Sequence, residues 1–180
     1  DTMGGREVND VFFDDVVVPA ENLLGVEGNG WIQLMAGLNV ERLIIAANMV
    51  GLAQRAFDDL LAYVKERKQF GRPIGSFQAL RHRIADLATE LECARLITYD
   101  TAEKVDANPE ALFPREASMA KLKATEVAKA LTLEGMQMMG GYGYASEYDM
   151  EGYVRTALVS TIYGGTNEIQ REIVSKTFGL

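Results

Sequence analysis

The stretch ERLIIAANMVGLAQRAFDDLLAYVKER, Glu41 to Arg67, decides the fold. Leu43, Val50, Phe57 and Val64 recur every seven residues, with Ala46, Ala53 and Leu60 between them. Apolar residues every three or four positions fall on one side of a 3.6-residue helix, so the pattern predicts a core-facing helix from Trp31 to about Arg67. Gly71 and Pro73 break it.

The same period returns twice. Leu80, Ile84, Leu87, Leu91, Ala94, Thr98, Thr101 and Val105 predict a second helix, with Ser76 as its N-cap and Asn108-Pro109 at its end. Pro114 suits the first turn of a third helix. Its stripe of Ala117, Ala120, Ala124, Val127, Leu131, Gly135 and Met138 is small enough for close helix approach, and Gly140-Gly141 end it. Two shorter helices follow, from about Glu147 to Val159 and from Thr166, as cap, to Phe178. Long amphipathic helices on short loops pack as an antiparallel bundle, so the expected fold is an all-α, up-down four-helix bundle with short C-terminal helices.

Ahead of the helices, Val8 to Val18 (VNDVFFDDVVV) is rich in β-branched and aromatic residues and stops at Pro19, which reads as a strand. One strand leaves its backbone groups without partners. Residues 1–27 are therefore expected to be the tail of a β-domain and its linker, and residues 28–180 the helical domain.

Composition narrows the chemistry. The 180 residues carry 18 basic and 26 acidic side chains, a net charge of −8. That argues against a nucleic-acid partner, which calls for a basic face. No run reaches the roughly 20 uninterrupted apolar residues a membrane span needs. The single cysteine, Cys93, has no internal disulfide partner, which fits a reducing compartment, and it is expected to be a buried small apolar residue. A di-iron bundle needs two Glu-x-x-His pairs; the one histidine, His82, has no acid three residues before it, so no metal is expected. His82 between Arg81 and Arg83 reads as solvated. No nucleophile elbow supports a serine triad. Lys65, Arg67, Lys68 and Arg72 gather at a helix end, where cations complement the macrodipole or form an anion site, and sequence alone leaves both readings open. Gly140-Gly141-Tyr142-Gly143 reads first as a helix cap and turn, with phosphate approach as the alternative.

Four motifs in order carry a resemblance. They are Arg67-Lys68-Gln69-Phe70-Gly71, Phe77-Gln78, Gln137-Met138-Met139-Gly140-Gly141-Tyr142-Gly143, and Tyr163-Gly164-Gly165-Thr166-Asn167-Glu168. Together they resemble the acyl-CoA dehydrogenases, over essentially the whole chain. The resemblance implies FAD as cofactor. Arg67, Gln69, Phe70, Phe77, Gln78, Gln137, Gly140 and Gly141 would contact an FAD held by a neighbouring subunit, and Thr166 and Glu168 the FAD of their own. The Arg67 guanidinium and backbone N–H groups near the glycines suit a diphosphate. Two departures, Ser146-Glu147-Tyr148-Asp149 and Arg155-Thr156, lie outside the FAD motifs.

The serious departure is Gly164, because the family's usual Tyr-Glu-Gly-Thr places the catalytic Glu there. Isovaleryl and long-chain members carry that Glu on the long helix instead, just before an Arg. Asn39-Val40-Glu41-Arg42-Leu43-Ile44 resembles that arrangement, which implies Glu41 as the base. Asn39, Arg42, Gly164 and Gly165 would then surround the acyl thioester, with the Gly164 N–H polarising its carbonyl. The resemblance further implies an acyl-CoA substrate, a homo-oligomer (dimer or tetramer), an electron-transfer flavoprotein as acceptor, and a bacterial cytoplasmic or mitochondrial matrix location. Two alternatives remain at this level: a same-fold flavin monooxygenase or nitroalkane-oxidising relative, and a base-less structural subunit.

Overall fold

A computed structural model describes the backbone of residues 1–180 and every side chain except that of Ala36. Three long helices dominate: α1 (Gly30–Glu66), α2 (Gln78–Ala107) and α3 (Pro114–Met139). A short turn of helix, α4 (Gly141–Tyr144), leads to α5 (Met150–Ser160) and α6 (Asn167–Lys176). The long helices run up, down and up, and α5 packs against both α1 and α3, closing the fourth side. The all-α bundle expected from the apolar periodicity is the fold observed.

The core forms where the stripes meet. Ala46, Ala53, Ala56, Leu60 and Val64 of α1 are buried against Ala120, Ala124, Ala128 and Leu131 of α3, with Leu87, Leu91 and Ala94 of α2 completing the cluster. Alanines at the contact let α3 approach its neighbours closely, and dispersion between dense surfaces then holds the bundle. Gly135 extends the same logic: a Cβ there would lie 2.9 Å from the Met150 Cε of α5. Buried threonine hydroxyls bond within their own helices, Thr98 donating to the Ala94 carbonyl and Thr132 to that of Ala128. By length and composition α1 would also suit a bilayer. The core-facing stripe from Ala46 to Val64 is buried against the other helices.

Between α1 and α2 the chain makes a hairpin, β1 (Lys68–Gln69) pairing antiparallel with β2 (Arg72–Pro73). Phe70 and Gly71 fill its two-residue turn with φ of 53° and 79°. Both central positions of such a turn need positive φ. Phenylalanine is a poor occupant, and holding a bulky residue there costs on the order of 1–3 kcal/mol.

Four sequence expectations are corrected. Val8 to Val18 forms no strand; Phe12, Phe13 and Val17 are exposed, because the chain offers no strand to pair with. Ser76 does not cap α2: it sits in a 3₁₀ turn and donates to the Pro73 carbonyl at 2.7 Å, while Phe77 occupies the cap position. Cys93 is exposed rather than buried, since it lies beside the Leu91 and Ala94 stripe and not within it. The helix expected from about Glu147 is α5 and starts at Met150, three residues later, because α4 and a turn take up the preceding chain.

Leu60 is wholly buried at the α1–α3 contact. Leu60→Ala removes buried methyl groups and leaves a cavity, so it should destabilise by about 2–5 kcal/mol. The urea midpoint should fall at unchanged slope.

Candidate functional site

The motif residues gather at two places, one toward each end of the long helices. Arg67, Gln69, Phe70 and Phe77 join Gly140, Gly141 and Tyr142 around a cleft of about 620 Å³. The hairpin brings the first four there, and the α3–α4 junction brings the glycines. Gly140 ends α3 with φ 63°, a conformation open to glycine without strain. The walls are aromatic: Phe70 meets Phe77 edge-on at 6.1 Å, and Tyr142 meets Tyr63 at 6.2 Å and Tyr148 at 5.4 Å. Cations lie over these rings, Arg72 4.2 Å from the Phe77 centroid and Arg67 5.5 Å from that of Tyr142. Among the described residues, no carboxylate pairs with Lys65, Arg67, Lys68 or Arg72. Unpaired guanidinium groups beside flat apolar walls suit a ligand with phosphates and a planar ring. Gln78 and Gln137 are exposed and do not line this cleft.

The second place is built on the loop between α5 and α6. Gly164 and Gly165 have φ of 65° and 84°, a left-handed pair that glycine adopts freely. Gly164 packs onto α1 at Glu41 and Ile45, one turn apart. A Cβ at Gly164 would stand 3.9 Å from Glu41 Oε1 and 2.3 Å from Ile45 Cδ1. The exposed carboxylate of Glu41 thus reaches the space that a side chain at position 164 would enter. Thr166 caps α6, its Oγ1 accepting from the Ile169 N–H at 3.4 Å. Glu168 follows in the first turn, and its own backbone N–H and the Thr166 hydroxyl hold its carboxyl below the usual range.

Behind the loop lies a polar cluster. Arg42 is buried, and its Nη1 donates to Asn39 Oδ1 at 2.8 Å while its Nε has no partner among the described residues. Burial pushes its pKa down, opposed by the neighbouring Glu41. Lys121 is wholly buried, and its Nζ donates to the Gly165 carbonyl and to Asn167 Oδ1, both at 3.0 Å. Gln170 Nε2 donates to the carbonyls of Gly164 at 3.1 Å and Gly165 at 2.9 Å. Desolvation lowers the Lys121 pKa to about 8 against its usual 10.5. Sequence reading missed Lys121, Asn167 and Gln170. The available signal was a lysine set among Ala117, Ala120 and Ala124, inside a stripe of small residues.

Glu41, Asn39, Arg42, Gly164, Gly165, Thr166 and Glu168 therefore stand together, and Arg67, Gln69, Phe70, Phe77, Gly140 and Gly141 stand together elsewhere. At 1.5 Å per helical residue, Glu41 to Arg67 along α1 spans roughly 39 Å.

With this geometry in place, the comparisons are direct. Residues 28–179 match the family model described as acyl-CoA dehydrogenase, C-terminal domain. A mitochondrial short/branched chain specific acyl-CoA dehydrogenase of Bos taurus is 45% identical over 166 residues, covering 92% of this chain and 38% of that protein. The crystal structure of an acyl-CoA dehydrogenase from Geobacillus kaustophilus superposes with a TM-score of 0.90 at 40% identity, over 94% of this chain and 44% of that one. A structure titled as the FAD complex of PigA gives 0.87 at 33% identity, over 93% and 43%. The chain spans less than half the length of each of these relatives.

The buried amine makes a pH prediction. Its folded pKa of about 8 lies below the ordinary 10.5, so the folded chain sheds this proton first and the unfolded chain holds it longer. Stability from this group should therefore rise with pH between about 8 and 10.5, by at most about 3 kcal/mol. Urea midpoints measured across that window should climb in the wild type relative to Lys121→Met, which lacks the group.

Proposed function

Because this chain belongs to the acyl-CoA dehydrogenase family through its C-terminal domain, we propose that it forms the helical part of an FAD-dependent enzyme that desaturates an acyl-CoA thioester, with Glu41 as the base. The observation that carries the proposal is the convergence of Glu41 Oε1 on the space beside Gly164, 3.9 Å from a Cβ built there. A carboxylate at 164 and one at 41 would serve the same spot. Here position 164 has none, and Glu41 fills the need.

The chemistry asks for such a group. The α-proton of a thioester is weakly acidic, so its removal needs a placed base and a polarised carbonyl. The α-C–H bond breaks toward Glu41, whose carboxylate takes the proton. The N–H groups of Gly164, Gly165 and Thr166 donate to no acceptor among the described residues, which leaves them for the thioester oxygen and other ligand groups. The cationic, aromatic-walled cleft at the other end fits the phosphates and adenine of FAD, held by Arg67, Gln69, Phe70, Phe77, Gly140 and Gly141. When bound, FAD supplies the acceptor for the β-hydrogen and its electron pair. Gln78 and Gln137 belong to this reading only if a partner surface covers them, since both are exposed.

The separation of roughly 39 Å between the two groups along α1 exceeds the reach of one dinucleotide. We read the cleft as serving the FAD of a second copy, and Thr166 and Glu168 as serving the FAD nearest Glu41. We further propose, on the family membership, a dimer or tetramer, an electron-transfer flavoprotein as acceptor, and a role in β-oxidation in the bacterial cytoplasm or mitochondrial matrix. Residues 1–27 on this reading belong to the middle β-domain, which completes the flavin pocket.

Two outcomes test the reading. In a chain extended to its relatives' length, Glu41→Gln should retain flavin while turnover falls about 100- to 10,000-fold. Retention of more than about a tenth of the rate refutes Glu41 as the base. Adding Gly164→Glu should restore part of the rate, and more with Ile45→Val, which removes the Cδ1 that would crowd the new side chain. Sedimentation should show a dimer or tetramer at micromolar concentration, since Trp31, Ile32, Leu34, Val40 and Ile44 leave the N-terminal turns of α1 apolar and exposed; a monomer counts against the second-copy site.

A further inference from the structure

Lys121 is the largest wholly buried side chain of the protein, yet it sits among neutral partners. Taking an ammonium out of water is expensive unless a counter-charge or excellent geometry offsets it. Of the charges that face it, Glu168 is an exposed carboxylate and Arg42 a second buried cation that opposes it. Packing gives no reason for the lysine either. The Gly165 carbonyl already accepts from Gln170 Nε2 at 2.9 Å, and Asn167 Oδ1 lies 3.1 Å from Thr125 Oγ1, whose one proton is shared with the Lys121 carbonyl at 2.9 Å. An apolar side chain of the same length would leave the Gly165 carbonyl its Gln170 partner and Asn167 Oδ1 a shared hydroxyl proton, while removing the cost of a buried ammonium. A lysine kept where a methionine would serve the fold implies a role outside stability.

What the amino group touches identifies that role. A trans peptide is planar, so fixing a carbonyl fixes the N–H of the next residue in the opposite direction. The Gly164 carbonyl is held by Gln170, and the Gly165 carbonyl by Gln170 and Lys121 together. The N–H groups of Gly165 and Thr166 are thereby turned away from the buried cluster. Two consecutive glycines would otherwise sample many conformations on both sides of φ = 0.

We propose that Lys121 is a positioning residue: from behind the Gly164–Thr166 loop, its amino group clamps the Gly165 carbonyl and the Asn167 side chain, and so presets the loop's outward N–H donors beside Glu41. This rests on the assignment of Glu41 and the glycine loop to the acyl site. The lowered pKa of about 8 agrees with the geometry, and the neutral amine still has two N–H bonds for its two acceptors, so the clamp survives deprotonation.

The test is Lys121→Met, read in two ways. In the 180-residue chain it should fold, with a melting temperature at pH 7 equal to or above that of the wild type. Nitrogen-15 relaxation of Gly164, Gly165 and Thr166 should meanwhile shift from rigid values, order parameters of about 0.85, toward the flexible range below about 0.6. In the FAD-loaded enzyme at its relatives' length, kcat should fall roughly 100-fold, the scale of a reacting group misplaced by about 1 Å, with KM for acyl-CoA changed much less. Loss of the fold, a lowered melting temperature, or a loop that stays rigid would each overturn the proposal in favour of a structural role. The relaxation measurement needs no substrate. A loosened loop in Lys121→Met together with an active Glu41→Gln would therefore uphold the clamp while removing the acyl assignment.

Discussion

Close approach of α3 to its neighbours is the constraint on which the rest of the structure depends. Ala117, Ala120, Ala124 and Ala128 present almost no side-chain bulk, so α1 and α2 pack against the α3 backbone with few voids. A central helix of this kind touches everything else: α1 and α2 along its length, α4 and α5 at its C-terminal end, and α6 beside Lys121 and Thr125. Its two ends therefore set the two functional places. The glycine pair at residues 140 and 141 ends it at the aromatic cleft, and Lys121 reaches from its first half to the glycine loop.

The site at Glu41 illustrates how a bundle assembles chemistry without a motif contiguous in sequence. One turn of α1 supplies Glu41 and Ile45 to one side and Arg42 to the buried side. The loop before α6 supplies Gly164, whose left-handed φ of 65° and close approach to Ile45 Cδ1 both suit glycine. Buried polar groups then fix the loop: an amide from α6 and an amine from α3 converge on consecutive carbonyls. Networks of this type carry high stakes in a low-dielectric interior, where each satisfied partner rigidifies and each missing one is costly. Two buried polar atoms of this cluster, Arg42 Nε and Gln170 Oε1, have no partner among the described residues.

The cleft at the opposite end follows a different logic. It is open, and Arg67 in its lining and Arg72 over Phe77 pair with no carboxylate among the described residues, although the chain as a whole carries a net charge of −8. Phe70, held at a positive φ in the hairpin turn and almost fully exposed, is a residue whose local conformation is unfavourable and whose side chain gains nothing from the core. Strain combined with exposure is a mark of a contact surface. The same cluster read by residue type alone could equally have been helix-end solvation; in the structure Arg67 stands over Tyr142 and Arg72 over Phe77.

Much of the fold was legible in the sequence because periodicity is local. The stripes from Leu43 to Val64, Leu80 to Val105 and Ala117 to Met138 placed three helices close to their observed bounds, and Pro114, Gly140 and Thr166 marked ends through their own backbone or side-chain chemistry. Val8 to Val18 misled for the complementary reason: strand propensity is also local, but a strand exists only when another chain segment accepts its hydrogen bonds. The resemblance set Glu41 and the glycine loop around one thioester and divided the motif residues between two flavins. The distances between them, the burial of Lys121 and Arg42, and the hydrogen bonds that hold the loop belong to the tertiary structure alone. Which residues of α1 and the α5–α6 loop meet is set by helix packing over more than a hundred residues of intervening chain, and no period in the sequence encodes a distance of that kind.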